Sequence, residues 1–279
     1  MMRILWQSSW LSLMIPAGML LLSGCGEAGK KPKIGSLDDL NDSAFVVAAE
    51  KGAVAGILAT RRFPKARSVR FKTGTEMAAE LMAGRIDAFA FDRPALEYMA
   101  AEHPQLMVLP ESLGTGKIAI AVAPQKKELV EPINRVIRSF QKSGVSREMF
   151  DRWLKTTRPE NPEIPRAARP QAKLVIGLEK EYIPFCYTGA GGAVMGYDVE
   201  YAKRLALALN CDCVFRQYEY EELFPALKAG RIDIAVSQID ATTVRQEEMF
   251  FSEPYIDSSI GVMIRRRDFA GKPAAPRQR

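Results

Sequence analysis

The 279 residues are 47% hydrophobic and 26% charged, an ordinary globular composition that excludes a disordered, collagenous or disulfide-stapled chain. The 39 Lys+Arg against 33 Asp+Glu give +6, but the cations are scattered apart from the Arg265-Arg266-Arg267 run and the Arg61-Arg62 pair, so no nucleic-acid partner is expected. A single histidine, His103, in a polar stretch, gives no support to His-dependent catalysis or a His-rich metal site, and cysteines at 25, 186, 211 and 213 lack the CxxC spacing of a zinc ribbon or thioredoxin motif. Cys186 with Cys211 and Cys186 with Cys213 both stay open as disulfides.

Arg3 precedes a mostly apolar run over 4–22, closed by Leu22-Ser23-Gly24-Cys25. Its length and flanks predict a signal peptide over 1–24 rather than a membrane span. A cysteine directly after small residues resembles the bacterial lipoprotein box, which makes Cys25 the lipidated mature N-terminus. The expected location is the cell envelope, lipid-anchored on the periplasmic or extracellular face of a membrane. Residues 25–33 read as a tether.

The segment Leu81-Met82-Ala83-Gly84-Arg85-Ile86-Asp87-Ala88 is echoed by Leu227-Lys228-Ala229-Gly230-Arg231-Ile232-Asp233-Ile234. In each copy a helical pattern ends, glycine supplies a left-handed cap, and an apolar strand follows (88–91 and 232–236). Around the first copy the pattern predicts a strand over 45–49, a helix over 53–62, a strand over 68–71 and a helix opened by a capping box at Thr73-Gly74-Thr75-Glu76. A strand over 118–123 follows, then one or two helices over 128–154 broken at Ser143-Gly144. Residues 156–170 hold prolines at 159, 162, 165 and 170 and read as a linker. Beyond it come a strand over 173–178, a helical stripe through Val199, Ala202, Leu205, Ala206 and Leu209, a strand over 213–215 and a helix over 223–228. Two α/β lobes built of parallel βαβ layers follow from this order.

Tyr182-Ile183-Pro184-Phe185, Gly196-Tyr197-Asp198-Val199, the stretch 225–233, Thr242-Thr243-Val244-Arg245 and Phe251-Ser252-Glu253-Pro254-Tyr255 stand in an order that resembles bacterial extracellular solute-binding proteins of family 3, the amino-acid-binding proteins of ABC importers. The resemblance implies a type II periplasmic-binding-protein fold with an inter-lobe cleft, no enzymatic activity, no cofactor or metal, a monomer, and ABC importer subunits or a sensor as partners. Residues 37–153 resemble the family's second lobe and closing helices, so the usual order is inverted. Splicing 260–269 to Ile34 regenerates one ordinary member, which implies a circular permutation; a fragment of a tandem array is the other reading. The expected organisation is lobe 2 over 34–117, a hinge strand and closing helices over 118–155, the linker over 156–172, lobe 1 with a second hinge strand over 173–265, and a basic tail over 266–279. One covalent crossing, near 115–122, is expected to join the lobes.

In an open α/β sheet, ligands sit beyond the carboxyl ends of the strands. The resemblance places Arg245 on a ligand carboxylate, Asp92 on its ammonium, Tyr182 and Tyr220 as aromatic walls, and Glu179 on its side chain, with Ser237 and Asp240 in the same cleft. Departures from the family stand at Gln238, Asp240, Glu50, Ala53 and Val54. With Glu50, Asp92, Glu179 and Asp240 set against Arg245 alone, the pocket sums to about −3 and favours a cationic amino acid or related amine. Two further readings are open. One is a dehydratase resembling the cyclohexadienyl dehydratases, with Glu50 or Glu179 as proton donor. The other is a degenerate remnant with a plugged cleft. Asp87, Asp198 and Asp233 read as structural.

Overall fold

The computed structural model describes residues 31–156, 159–189 and 191–271. The expected signal segment 1–24, Cys25 and residues 272–279 lie outside the described residues. After a short 3-10 turn at Asp38–Leu40 come β1 (Val46–Glu50), α1 (Val54–Arg62), β2 (Arg67–Phe71), α2 (Gly74–Met82), β3 (Ala88–Asp92), α3 (Arg93–Glu102), β4 (Leu106–Val108) and the long β5 (Gly114–Val122). Helices α4 (Val130–Ser143) and α5 (Val145–Leu154) follow, separated where Gly144 takes φ +86. Residues 159–170 form no helix or strand. Then come β6 (Ala172–Glu179), the small hairpin β7 (Tyr187–Thr188) and β8 (Val194–Met195), α6 (Tyr197–Ala208), β9 (Cys211–Tyr218), α7 (Tyr220–Lys228), β10 (Ile234–Ala235), α8 (Thr243–Gln246) and β11 (Phe250–Arg265).

Nine strands make one mixed sheet in the order β2-β1-β3-β11-β5-β10-β6-β9, with β4 beside β11. Strand β1 is parallel to β2 and β3 at one end, and β6 is parallel to β9 and β10 at the other. Residues of β1 and β3 are buried throughout, as helices on both faces of a parallel sheet require. Two parallel halves joined by a pair of long antiparallel strands give the two-lobed α/β architecture of type II periplasmic binding proteins.

The repeated Ala-Gly-Arg-Ile-Asp folds the same way twice. Gly84 and Gly230 adopt φ +77 and +65, the left-handed cap that a Cβ disfavours. Asp87 Oδ2 accepts the Val46 amide at 2.8 Å, and Asp233 Oδ2 accepts the Val175 amide at 2.8 Å. Each aspartate thus registers its own strand against the central strand of its half. In the first half, Arg265 at the end of β11 adds a buried ion pair to Asp87 and donates to the Leu81 and Ile86 carbonyls.

Strands β5 and β11 cross between the halves. Near Gly114–Lys117, β5 lies against Asp257–Ile260, and β11 there also pairs β3. Near Ala121–Val122, β5 lies against Phe250–Phe251 and β10. The register slips on either side of Pro254, which has no N–H for the ladder. The expectation of one covalent crossing is corrected here: β11 runs unbroken from Phe250 to Arg265 and is a second covalent connection. Ile34, at the start of the fold, bridges Phe269, at its end, with Ile34 N to Asp268 O at 2.9 Å and Ala270 N to Ile34 O at 2.8 Å. Arg266 donates to the Pro104 and Leu106 carbonyls, so this part of the expected basic tail is held in the fold.

Helix α5, just before the proline-rich stretch, is tied to α6 by Glu200, which accepts from Trp153 Nε1 at 2.7 Å and pairs with Arg152 and Arg204. Cys186, Cys211 and Cys213 are free thiols, so neither candidate disulfide is formed. His103 caps the C-terminus of α3 and is half-buried. No helix among the described residues is long and apolar enough to cross a membrane.

Candidate functional site

The carboxyl ends of β1, β3 and β6 each finish on an acid: Glu50, Asp92 and Glu179. Asp240 follows β10 closely, and its carboxylate rests on Gly116 of β5, where a Cβ would collide with Asp240 Oδ1. Both halves of the sheet therefore point carboxyl groups at the gap between them. Glu50, Asp92 and Asp240 line one small cavity with Ala53, Val54, Ala55, Phe91, Tyr182, Tyr220, Gln238 and Ile260. Its volume is about 10 Å³, room for roughly one water, so a solute enters only with the halves apart.

Two hydrogen bonds and one pair of neighbouring acids span the gap. The Tyr182 hydroxyl, following β6, donates to Asp92 Oδ2 at the end of β3. The Glu50 and Glu179 carboxyls are neighbours across the gap, with Glu50 Oε1 and both Glu179 oxygens buried and without a hydrogen-bond partner. Arg245 Nη2 donates to the Gly52 carbonyl at 3.0 Å.

Burial dominates the electrostatics. It drives Asp92 up to about 7, reinforced by Asp240 and opposed by hydrogen bonds from Tyr182 and Ser258. Glu50 and Glu179 rise well above the carboxylate range, from desolvation first and then from neighbouring carboxylates, Asp92 acting on both. Two neighbouring acids in a dry site do not both ionise. Asp240 is raised by burial and lowered by Arg245. No side-chain cation is ion-paired to any of these four acids among the described residues.

Arg245 stands apart from the cavity lining. Its guanidinium is part-buried over the Phe224 ring, 4.5 Å from the centroid, and Nη1 donates to the Asp240 backbone carbonyl at 2.9 Å. The Asp240 carboxylate is not its partner. Gln238 takes φ +48, a conformation that favours glycine, and is held there by Nε2 donating to Asp198 Oδ1 and Tyr255 Oη, each at 3.1 Å. Tyr255 in turn donates to Asp198 at 2.7 Å. Gln238 Oε1 is buried without a partner. Ser237 lies beneath the site, its Oγ accepting the Glu179 amide at 2.8 Å.

Of the nine residues expected in the cleft, the structure brings Glu50, Asp92, Tyr182, Tyr220, Gln238 and Asp240 to the cavity, sets Glu179 beside Glu50, and places Ser237 in the bend after β10 and Arg245 at the latch. Sequence reasoning missed Phe224, which follows Tyr220 by one helical turn, and Ser258, whose Oγ donates to Asp92 Oδ1 at 3.3 Å from the hinge strand. The i, i+4 spacing on α7 was the available signal for Phe224. Among the described residues, no group of three or more His, Cys, Asp and Glu side chains is placed to hold a metal ion.

Residues 174–270 match the family model of bacterial extracellular solute-binding proteins, family 3. The chain is 34% identical over 101 residues to the arginine-binding periplasmic protein of Mannheimia haemolytica, covering 36% of this chain and 43% of that protein. It is 38% identical over 87 residues to the histidine-binding periplasmic protein of Salmonella typhimurium, covering 31% and 33%. The arginine-bound form of domain 1 from TmArgBP is similar at 28% identity and a TM-score of 0.30, over 34% of this chain and 82% of that one. The matched segment thus spans less than half the length of the curated relatives. Over residues 174–270, the chain is similar to the bacterial extracellular solute-binding proteins of family 3.

Proposed function

We propose that this protein is an extracytoplasmic, lipid-anchored solute-binding protein. It captures an amino acid or related amine of net positive charge between the two sheet halves and hands it to an ABC importer or sensory partner. The observation that carries the reading is the convergence of Glu50, Asp92, Glu179 and Asp240 from both halves with no side-chain cation ion-paired to them among the described residues. Such a site is poor as it stands, because burying unpaired carboxyls is costly, and it is completed by a cation. Tyr182 and Tyr220 supply ring faces for an ammonium or guanidinium. Two curated relatives carry arginine binding in their names, which supports a cationic solute. Cys25 in its lipoprotein-like box supports the anchor.

The lobe order is proposed to be permuted, with lobe 2 over 34–117 and lobe 1 over 173–265. The Ile34–Phe269 bridge supports this, since the splice that restores the ordinary order joins hydrogen-bonded neighbours.

A second reading, the degenerate remnant, draws support from the 10 Å³ cavity and the engaged Arg245 fork. Thermal melting with each of the twenty amino acids and common polyamines separates the two. A true binder melts higher with a cationic solute in proportion to the logarithm of its concentration. A melting point unmoved by every cation favours the remnant. The dehydratase reading draws on burial holding Glu50 and Glu179 protonated, but Asp92 and Asp240 oppose a dianionic substrate.

A further inference from the structure

The acids, the unpartnered acceptor and the engaged arginine of the cleft together define the ligand more narrowly. We infer that the cleft is built for a dication without a carboxylate, a short alkyl diamine or an amino-guanidine, rather than for a zwitterionic basic amino acid. The inference rests on the cation-binding reading above and deepens it.

An α-amino acid needs a donor pole for its carboxylate as well as an acceptor pole for its ammonium. The side chains lining the cavity offer acceptors: Glu50, Asp92, Asp240 and the Gln238 amide oxygen. The Gln238 Nε2 donors are spent on Asp198 and Tyr255, leaving Oε1, in a residue 2% exposed, buried without a partner. Glu50 Oε1 is likewise buried and unpartnered. The Tyr182 hydroxyl is committed to Asp92. Where α1 opens toward the cavity, its N-cap is Ala53, with no side-chain hydroxyl, so α1 offers backbone amides of its first turn and no side-chain donor there.

Arg245, a guanidinium beside the site, is turned to the carbonyls of Asp240 and Gly52 and stacked on Phe224. Its planar fork is satisfied by the backbone of both halves, so it serves closure rather than an incoming anion. Acceptor groups also come from both halves of the sheet, Glu50 and Asp92 from the strands β1 and β3 of one half, and Asp240, with Glu179 beside the cavity, from the other. A ligand with one positive charge balances only one of these sides. A carboxylate brought into the same space meets acids and a polar acceptor, whereas a second ammonium or a guanidinium meets both.

The test uses two matched pairs of ligands that differ only by a carboxylate: cadaverine against L-lysine, and agmatine against L-arginine. Each is titrated calorimetrically into the intact protein at pH 7.5. The expected result is that the decarboxylated member of each pair binds at least tenfold tighter. Equal or tighter binding of the amino acids overturns this inference and leaves the cation-binding reading in place, with Arg245 leaving its carbonyls to take the carboxylate. Binding of none of the four overturns both.

Discussion

Arg245 Nη2 reaches the Gly52 carbonyl at 3.0 Å, joining α8, which follows β10, to the turn after β1 in the other half of the sheet. The same side chain holds the Asp240 carbonyl and lies on Phe224, so one residue couples the closing of the cleft to the placement of its acid. The Tyr182 hydroxyl on Asp92 is a second contact across the cleft, and Glu50 and Glu179 are neighbours there.

Replacing Arg245 with Ala removes two hydrogen bonds from a charged donor, each worth about 1.5 to 3 kcal/mol at most and less here because the group is part-exposed. The ligand-free protein is expected to shift toward an open form. Small-angle scattering reads this as a larger radius of gyration in Arg245→Ala than in the parent; an unchanged radius contradicts the latch.

The raised acids fix the sign of a pH effect. Asp92 and Asp198 are both held near about 7 against an ordinary 3.8. Through that window the native state holds protons that the unfolded chain has released, so stability is greatest toward the acidic end and falls as pH rises toward 7. The urea midpoint should be higher at pH 5 than at pH 7.5, and a midpoint that climbs over this range contradicts the assignment. Cation binding favours the ionised acids, so protons should be released on binding near pH 6.5, seen as a buffer-dependent heat.

Glu50→Gln separates stability from function. It relieves the carboxyl pair while keeping the shape, and the folded state at pH 7.5 should gain about 1 to 3 kcal/mol, the range for an unsatisfied buried polar group. Affinity for the cation should fall at least tenfold. A destabilised variant with unchanged affinity would mean that Glu50 is merely structural.

Gly116→Ala tests the hinge packing. A methyl group there meets Asp240 Oδ1 at a separation no real contact allows, so either Asp240 moves or β5 shifts. A loss of about 1 to 3 kcal/mol is expected from overpacking. Adding Asp240→Ala should recover most of it, and failure of that rescue places the strain elsewhere.

The proposed permutation makes a rearrangement testable. A variant that opens in the proline-rich stretch and joins residue 271 to residue 33 through a short glycine-serine segment restores the ordinary lobe order. It should fold and melt within a few degrees of the parent, because the joined ends are already adjacent. Failure to fold argues for the tandem-fragment reading.

Much of the fold was legible because its signals are local. The Thr73 cap accepts the Glu76 amide as the capping pattern predicts, though Glu76 returns to the Lys72 amide rather than to that of Thr73. The twin glycine caps and aspartates produced twin strands. Helix α3 escaped notice because Pro94 reads as a breaker when it is in fact a first-turn proline, and β4 is only three residues long. The long reach of β11 was hidden by Pro254, where the ladder slips without ending.

In the site, the acids were legible from their places at strand ends. Their proximity was not, since Glu50 and Glu179 are distant in sequence and meet only when both halves close. Gln238 stood out as a departure, yet its anchoring to Tyr255 and Asp198 depends on a side-chain network that no spacing encodes. Arg245 was expected to face an anion. Two backbone carbonyls satisfy it instead, and backbone groups leave no trace in residue identity.

The central claim is that these carboxyls capture a cation between the halves. Calorimetric titration of the intact protein and its Asp92→Asn variant with cationic amino acids and diamines measures it most directly. The account predicts micromolar or tighter binding of at least one cation by the parent, weakened at least tenfold in the variant. No heat from any cation, or equal affinity in both proteins, would contradict it.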